Sequence, residues 1–199
     1  MDFNDVSFRL KRVYNSIDKQ FEKDIRDQIN VKEVKPGASM ITFGHYNKVE
    51  LSDRVLGIIS AIAGLKDHLK RRMRDKGKSP QVVEDMINNS ETLCLVIDLW
   101  NQDKHGYPLK ENKKRSYKDP IIKNLRQVMH YKSSKSTGPS YFRIEPNLAR
   151  ITIKNPSNFA VFIEGDVVDG EGNRIMPINK LISDSISLIE KFIKDNNLI

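Results

Sequence analysis

Apolar residues recurring at steps of three and four dominate the first 105 positions, and this constrains the fold more than any other feature of the chain. Phe3, Val6, Leu10, Val13, Ile17, Phe21, Ile25 and Ile29 make one stripe at the helical period, which predicts a long first helix. Pro36-Gly37 then breaks the chain. A second helix is predicted from near Leu51-Ser52, carrying Val55, Leu56, Ile59, Ile62, Leu65, Leu69 and Met73. Its last turns hold Lys70, Arg71, Arg72 and Arg74, which suit the negative end of a helix dipole, and Gly77 is a suitable stop. Ser79-Pro80 marks a third start, because Ser caps free amides and Pro is favoured at the first helical position. That helix is expected to continue to about Lys104, burying Val83, Met86, Ile87, Ser90, Cys94, Ile97 and Asn101.

After Gly106 the pattern changes. Residues 107–120 are polar and basic, with Pro108 and Pro120, and read as a loop. Leu125–Tyr131, Tyr141–Ile144, Ala149–Lys154 and Asn158–Val168 read as short strands, with a Ser/Lys/Gly loop at Lys132–Ser140. The cluster Asp169-Gly170-Glu171-Gly172-Asn173 is a turn. A last helix over about Ile178–Lys194 presents Leu181, Ile182, Ser185, Ile189, Phe192 and Ile193 on one side. The expected fold is α+β: a bundle of three N-terminal helices plus a C-terminal helix, with a small antiparallel sheet inserted before the last helix. One domain over 1–199 is expected, divided into a helical part (1–106), a basic loop (107–120), a small β region (121–176) and a closing helix (177–199) that packs back on the others.

No stretch approaches the ~20 apolar residues needed to span a bilayer. The single cysteine, Cys94, excludes an internal disulfide, and a reducing, cytoplasmic setting is the expectation. The net charge of +8 is unevenly placed. Residues 66–78 carry 7 Lys/Arg against 2 Asp/Glu, residues 79–103 carry five acids and no Lys or Arg, and residues 104–154 carry 13 against 3. The last of these segments holds more positive charge than the whole molecule. It is either a solvated face or a surface for a polyanion such as RNA.

Phosphate loops, nucleophile elbows and paired-histidine zinc motifs are absent from the sequence. Asp169, Glu171 and Asn173 alternate as in a calcium loop, but the glycine at the sixth place and the distal Glu are missing, so a tight hairpin turn is expected there. No cofactor and no metal are expected. Of the four histidines, His45 and His68 have no evident partner in the sequence, and His130 is expected to alternate outward on a strand. His105 continues the face of Asn101 and Ile97, with Asp98 two turns back on nearly the same side and Lys104 adjacent. In this arrangement an imidazole can move a proton near neutral pH, Asn101 or Lys104 can hold a phosphate, and Asp98 can fix the imidazole tautomer. The same residues also make a sound helix C-terminus, so cap and site stand as alternatives. Lys110, Lys113, Lys114, Arg115 and Lys118, with Tyr107 and Tyr117 interleaved, have the composition of a single-stranded nucleic-acid contact. Trp100 reads as a core or interface anchor.

A helical chain with a polar, His-ending motif at a helix terminus resembles the HEPN superfamily (higher-eukaryote and prokaryote nucleotide-binding domains). These are helical bundles of prokaryotic toxin and antiphage systems, often dimeric. The stretch Leu99-Trp100-Asn101-Gln102-Asp103-Lys104-His105-Gly106-Tyr107-Pro108 is similar to an Asn-x-x-Lys-His-Gly stretch in uncharacterised bacterial proteins, a likeness that covers roughly residues 50–195. The resemblance implies a metal-independent ribonuclease or RNA-binding protein in which an Arg-x4–6-His motif stabilises phosphate and assists proton transfer, often with two copies meeting across a dimer. His105 matches the His of that motif. The positions where its Arg belongs hold Asp98, Leu99 and Trp100, so a cation for this role must come from elsewhere, such as Arg71, Arg72 or Arg74. A non-catalytic binding module for an acidic partner, or an assembly subunit, is the alternative expectation.

Overall fold

The computed structural model describes residues 5–26, 30–35, 38–42, 47–105, 119–133, 140–144 and 159–199. They form an α+β fold of five helices, a two-stranded antiparallel hairpin and a four-stranded antiparallel sheet. The predicted β segment Ala149–Lys154 and the basic loop up to Lys118 lie outside the described residues.

Helix α1 (Val6–Arg26) starts where Asp5 accepts a hydrogen bond from the Ser7 amide at 2.9 Å. It buries Val6 and Val13 against the core. Helix α2 (Lys48–Asp75) is the central rod, with Leu51, Val55, Ile58, Ile59, Ile62, Leu65, Leu69 and Met73 buried. It begins three residues before the predicted start. The reason is a capping box: Asn47 accepts from the Glu50 amide at 3.0 Å, and Glu50 accepts from the Asn47 amide at 2.9 Å. It ends as expected at Gly77, whose φ of +68° allows the Lys78 amide to reach the Met73 carbonyl at 2.9 Å. Between these two helices the sequence led us to expect only a break. The structure instead has β1 (Asn30–Lys35) and β2 (Ala38–Thr42), paired from Asn30↔Thr42 to Lys35↔Ala38.

The predicted third helix is two helices, α3 (Gln81–Asn88) and α4 (Glu91–His105). Asn88, Asn89 and Ser90 each compete with the backbone for hydrogen bonds, and such residues favour caps over helix interiors. Ser90 accepts from the Leu93 amide at 3.2 Å, which opens α4. The Cys94 thiol spans the break to the Ile87 carbonyl at 3.2 Å. The break resets the helical phase. Leu93, Leu95, Val96, Asp98 and Leu99 are therefore the buried residues of α4, whereas Cys94, Ile97 and Asn101 are half-buried.

In the sheet the strand order is β4-β3-β5-β6, with β3 (Ile121–Ser133), β4 (Ser140–Ile144), β5 (Phe159–Val168) and β6 (Arg174–Pro177). β3 pairs with β5 from Ile121↔Val168 to Tyr131↔Phe159, and with β4 from Met129↔Ile144 to Ser133↔Ser140. The β3–β5 register shifts between Lys123 and Arg126, where Asn124 has φ +57°. Leu125 then lies against Gly165, where an added Cβ would stand 2.6 Å from its Cδ2 atom. The turn at Asp169–Asn173 is the expected tight hairpin turn. Asp169 Oδ1 accepts from the amides of Glu171 and Asn173 at 3.0 and 2.8 Å. It leads to β6, which pairs antiparallel with β5 and completes that hairpin. The closing helix α5 (Ile178–Asp195) packs on α2 and α4 as well as on β5, burying Leu181, Ile189, Phe192 and Ile193 in one core cluster shared with α1 to α4 and β5.

Candidate functional site

The last turn of α4 carries the residues with the strongest chemical potential in the sequence. Trp100 lies half-buried against the core cluster. One helical turn later the Lys104 ammonium stands 5.2 Å from the centroid of its ring. Lys104 and His105 are both exposed, and Asn101 and Gln102 are half-buried. Cations in the last helical turn are favoured by the partial negative charge of its free carbonyls.

Asp98 does not join them. It is 3% exposed, while His105 is exposed on the same helix, and seven residues separate them by about 10 Å along the axis. The expected pairing of this carboxylate with the imidazole is therefore not made. The cause is the axial distance: Asp98 sits where α4 packs into the core with Leu95 and Leu99, whereas the last turn, from Asp103 to His105, has left the core. Lys104 and His105, as neighbours in sequence, leave the helix about 100° apart. Of the four expected catalytic residues, the fold leaves Lys104 and His105 at the surface, Asn101 at its margin, and Asp98 inside.

Tyr107, Lys110, Lys113, Lys114, Arg115, Tyr117 and Lys118, the expected nucleic-acid contacts, lie outside the described residues. Arg71 and Arg72, named with Arg74 as cations that could take the place of the motif Arg and contact nucleic acid, are on α2. Arg72 donates from Nε to the Leu198 carbonyl at 3.1 Å. Lys78 Nζ reaches the Asn196 carbonyl at 2.8 Å, and Lys76 Nζ contacts that of Asn197. On the α3 side, Lys66 sits 3.0 Å from the Glu84 carboxylate, which Lys70 also contacts. Burial alone would raise the Glu84 pKa, but the hydrogen bonds from Lys70 and Lys66 hold it below the usual carboxylate range. At least five of the seven cations in residues 66–78 thus bond within the protein. The positive charge of that run, dense in the sequence, largely serves to hold α3 and the C-terminal turn to α2.

Arg71 is exposed beside His68, whose imidazole pKa is lowered by partial burial and by the nearby Arg9 and Arg71 cations. Arg9 comes from α1, and its place near His68 had no signal in the sequence. On the sheet, Asp166 accepts from Asn124 at 3.2 Å and from Arg174 at 2.7 Å, and Arg126 pairs with Glu164 at 3.0 Å. These bonds brace the bulge and the β6 edge across strands that sequence spacing does not join. The apolar crevice among α2, α3, α4 and α5, lined by Ile62, Leu69, Met86, Val96 and Ile189, offers no catalytic group apart from the rim lysine Lys66. Among the described residues there is no cluster of three or more metal-ligating side chains. No described helix is long and apolar enough to cross a membrane.

Comparison with protein-family models, with curated proteins and with solved structures finds no match to this chain.

Proposed function

We propose that the chain binds RNA through the exposed C-terminal turn of α4 and the basic segment that continues from it, without itself cutting the RNA. The observation that carries this reading is the contrast between its two basic runs. The cations of residues 66–78 mostly bond to acids and carbonyls of the protein itself, whereas the exposed Lys104 and His105 stand at the point where the 104–154 excess of positive charge begins. Trp100 fastens that turn to the core, so the first cations of the segment sit on a fixed base. Phosphate neutralisation supplies affinity, and Tyr107 and Tyr117 supply rings on which unpaired bases stack. The burial of Asp98 speaks for binding over chemistry, because it deprives His105 of its expected orienting carboxylate.

Fluorescence anisotropy with a single-stranded RNA over a series of salt concentrations tests this reading. Affinity should fall steeply with salt. Replacing Lys110, Lys113, Lys114 and Arg115 by Ala should flatten the log–log slope by about 3, at roughly 0.7 for each phosphate left without its cation on a single strand. Affinity indifferent to salt would refute the proposal.

The exposure of His105 favours one second reading, a HEPN-like, metal-independent ribonuclease with His105 as general acid or base. In that case the phosphate-clamping Arg has to come from outside α4, for instance from a second copy of the chain. Here His105→Ala abolishes RNA cleavage and leaves RNA affinity nearly unchanged. Equal cleavage by wild type and variant removes this reading.

A further inference from the structure

We draw no further inference here: the strongest candidate, the uncharged outer edge of β2 in the Asn30–Lys35/Ala38–Thr42 hairpin, is an open strand edge among the described residues, and nothing in the structure shows what covers it.

Discussion

The guanidinium of Arg72 donates through Nε to the carbonyl of Leu198, 126 positions later in the chain and 3.1 Å away. Leu198 is itself 1% exposed, so the bond fastens the C-terminal turn at the place where its side chain enters the core. The chain after α5 leaves the carbonyls of Asn196, Asn197 and Leu198 outside any helix ladder, and cations at the end of α2 and just beyond it donate to them.

Arg72→Ala should therefore lower stability by about 1.5–3 kcal/mol, the range for a hydrogen bond with one charged partner. Urea unfolding followed by circular dichroism measures this. RNA affinity of the folded variant should stay close to wild type, because the guanidinium is committed inside the protein. A variant that unfolds at the wild-type midpoint but loses RNA binding would reverse the assignment of Arg72.

Gly165→Ala should cost about 1–3 kcal/mol, since its Cβ would meet Leu125 Cδ2 at 2.6 Å in a packed interior. Trimming the neighbour should relieve the clash. The double variant Gly165→Ala/Leu125→Ala should be more stable than the sum of the two single losses predicts, as a thermodynamic cycle would measure. Strict additivity would mean that the close approach carries no energetic weight.

The Glu84 carboxyl has its pKa lowered on folding, so the bonds from Lys70 and Lys66 stabilise the protein above the ordinary glutamate range. That contribution is lost as the pH falls through the depressed folded value. Glu84→Gln should thus be less stable than wild type near neutral pH, and the two should converge in acid. Urea midpoints across a pH series test this, and a difference that stays constant with pH would count against the ion pairs as its source.

Much of the helical architecture was legible in the sequence. The stripe from Leu51 to Met73 and the stop at Gly77 both follow from the 3.6-residue period and from glycine's access to positive φ. The turn at Asp169–Asn173 was equally readable, because Asp and Asn side chains bond their own backbone. Two polar signals override the apolar pattern. Asn47 and Glu50, spaced as a capping box, set the start of α2 before the first apolar residue of its core stripe. Asn88-Asn89-Ser90 split what an unbroken apolar pattern suggested was one helix.

The candidate site was legible as a set of residue types and misleading as a constellation. Spacing puts Asp98 and His105 near one face of α4, but two turns apart, so that the first lies where the helix is packed and the second where it has left the core. The sequence by itself determined the α+β class, the helical stripes and the unequal charge of the segments, because periodicity and composition act over short distances. Only the tertiary structure decided which charges find partners within the protein. Lys66, Lys70, Arg72, Lys76 and Lys78 find acids and carbonyls brought to them by α3 and the C-terminal turn, Lys104 and His105 stay exposed, and Asp98 turns inward. The partners of a charge are set by chain segments far apart in sequence, and no local pattern encodes their meeting.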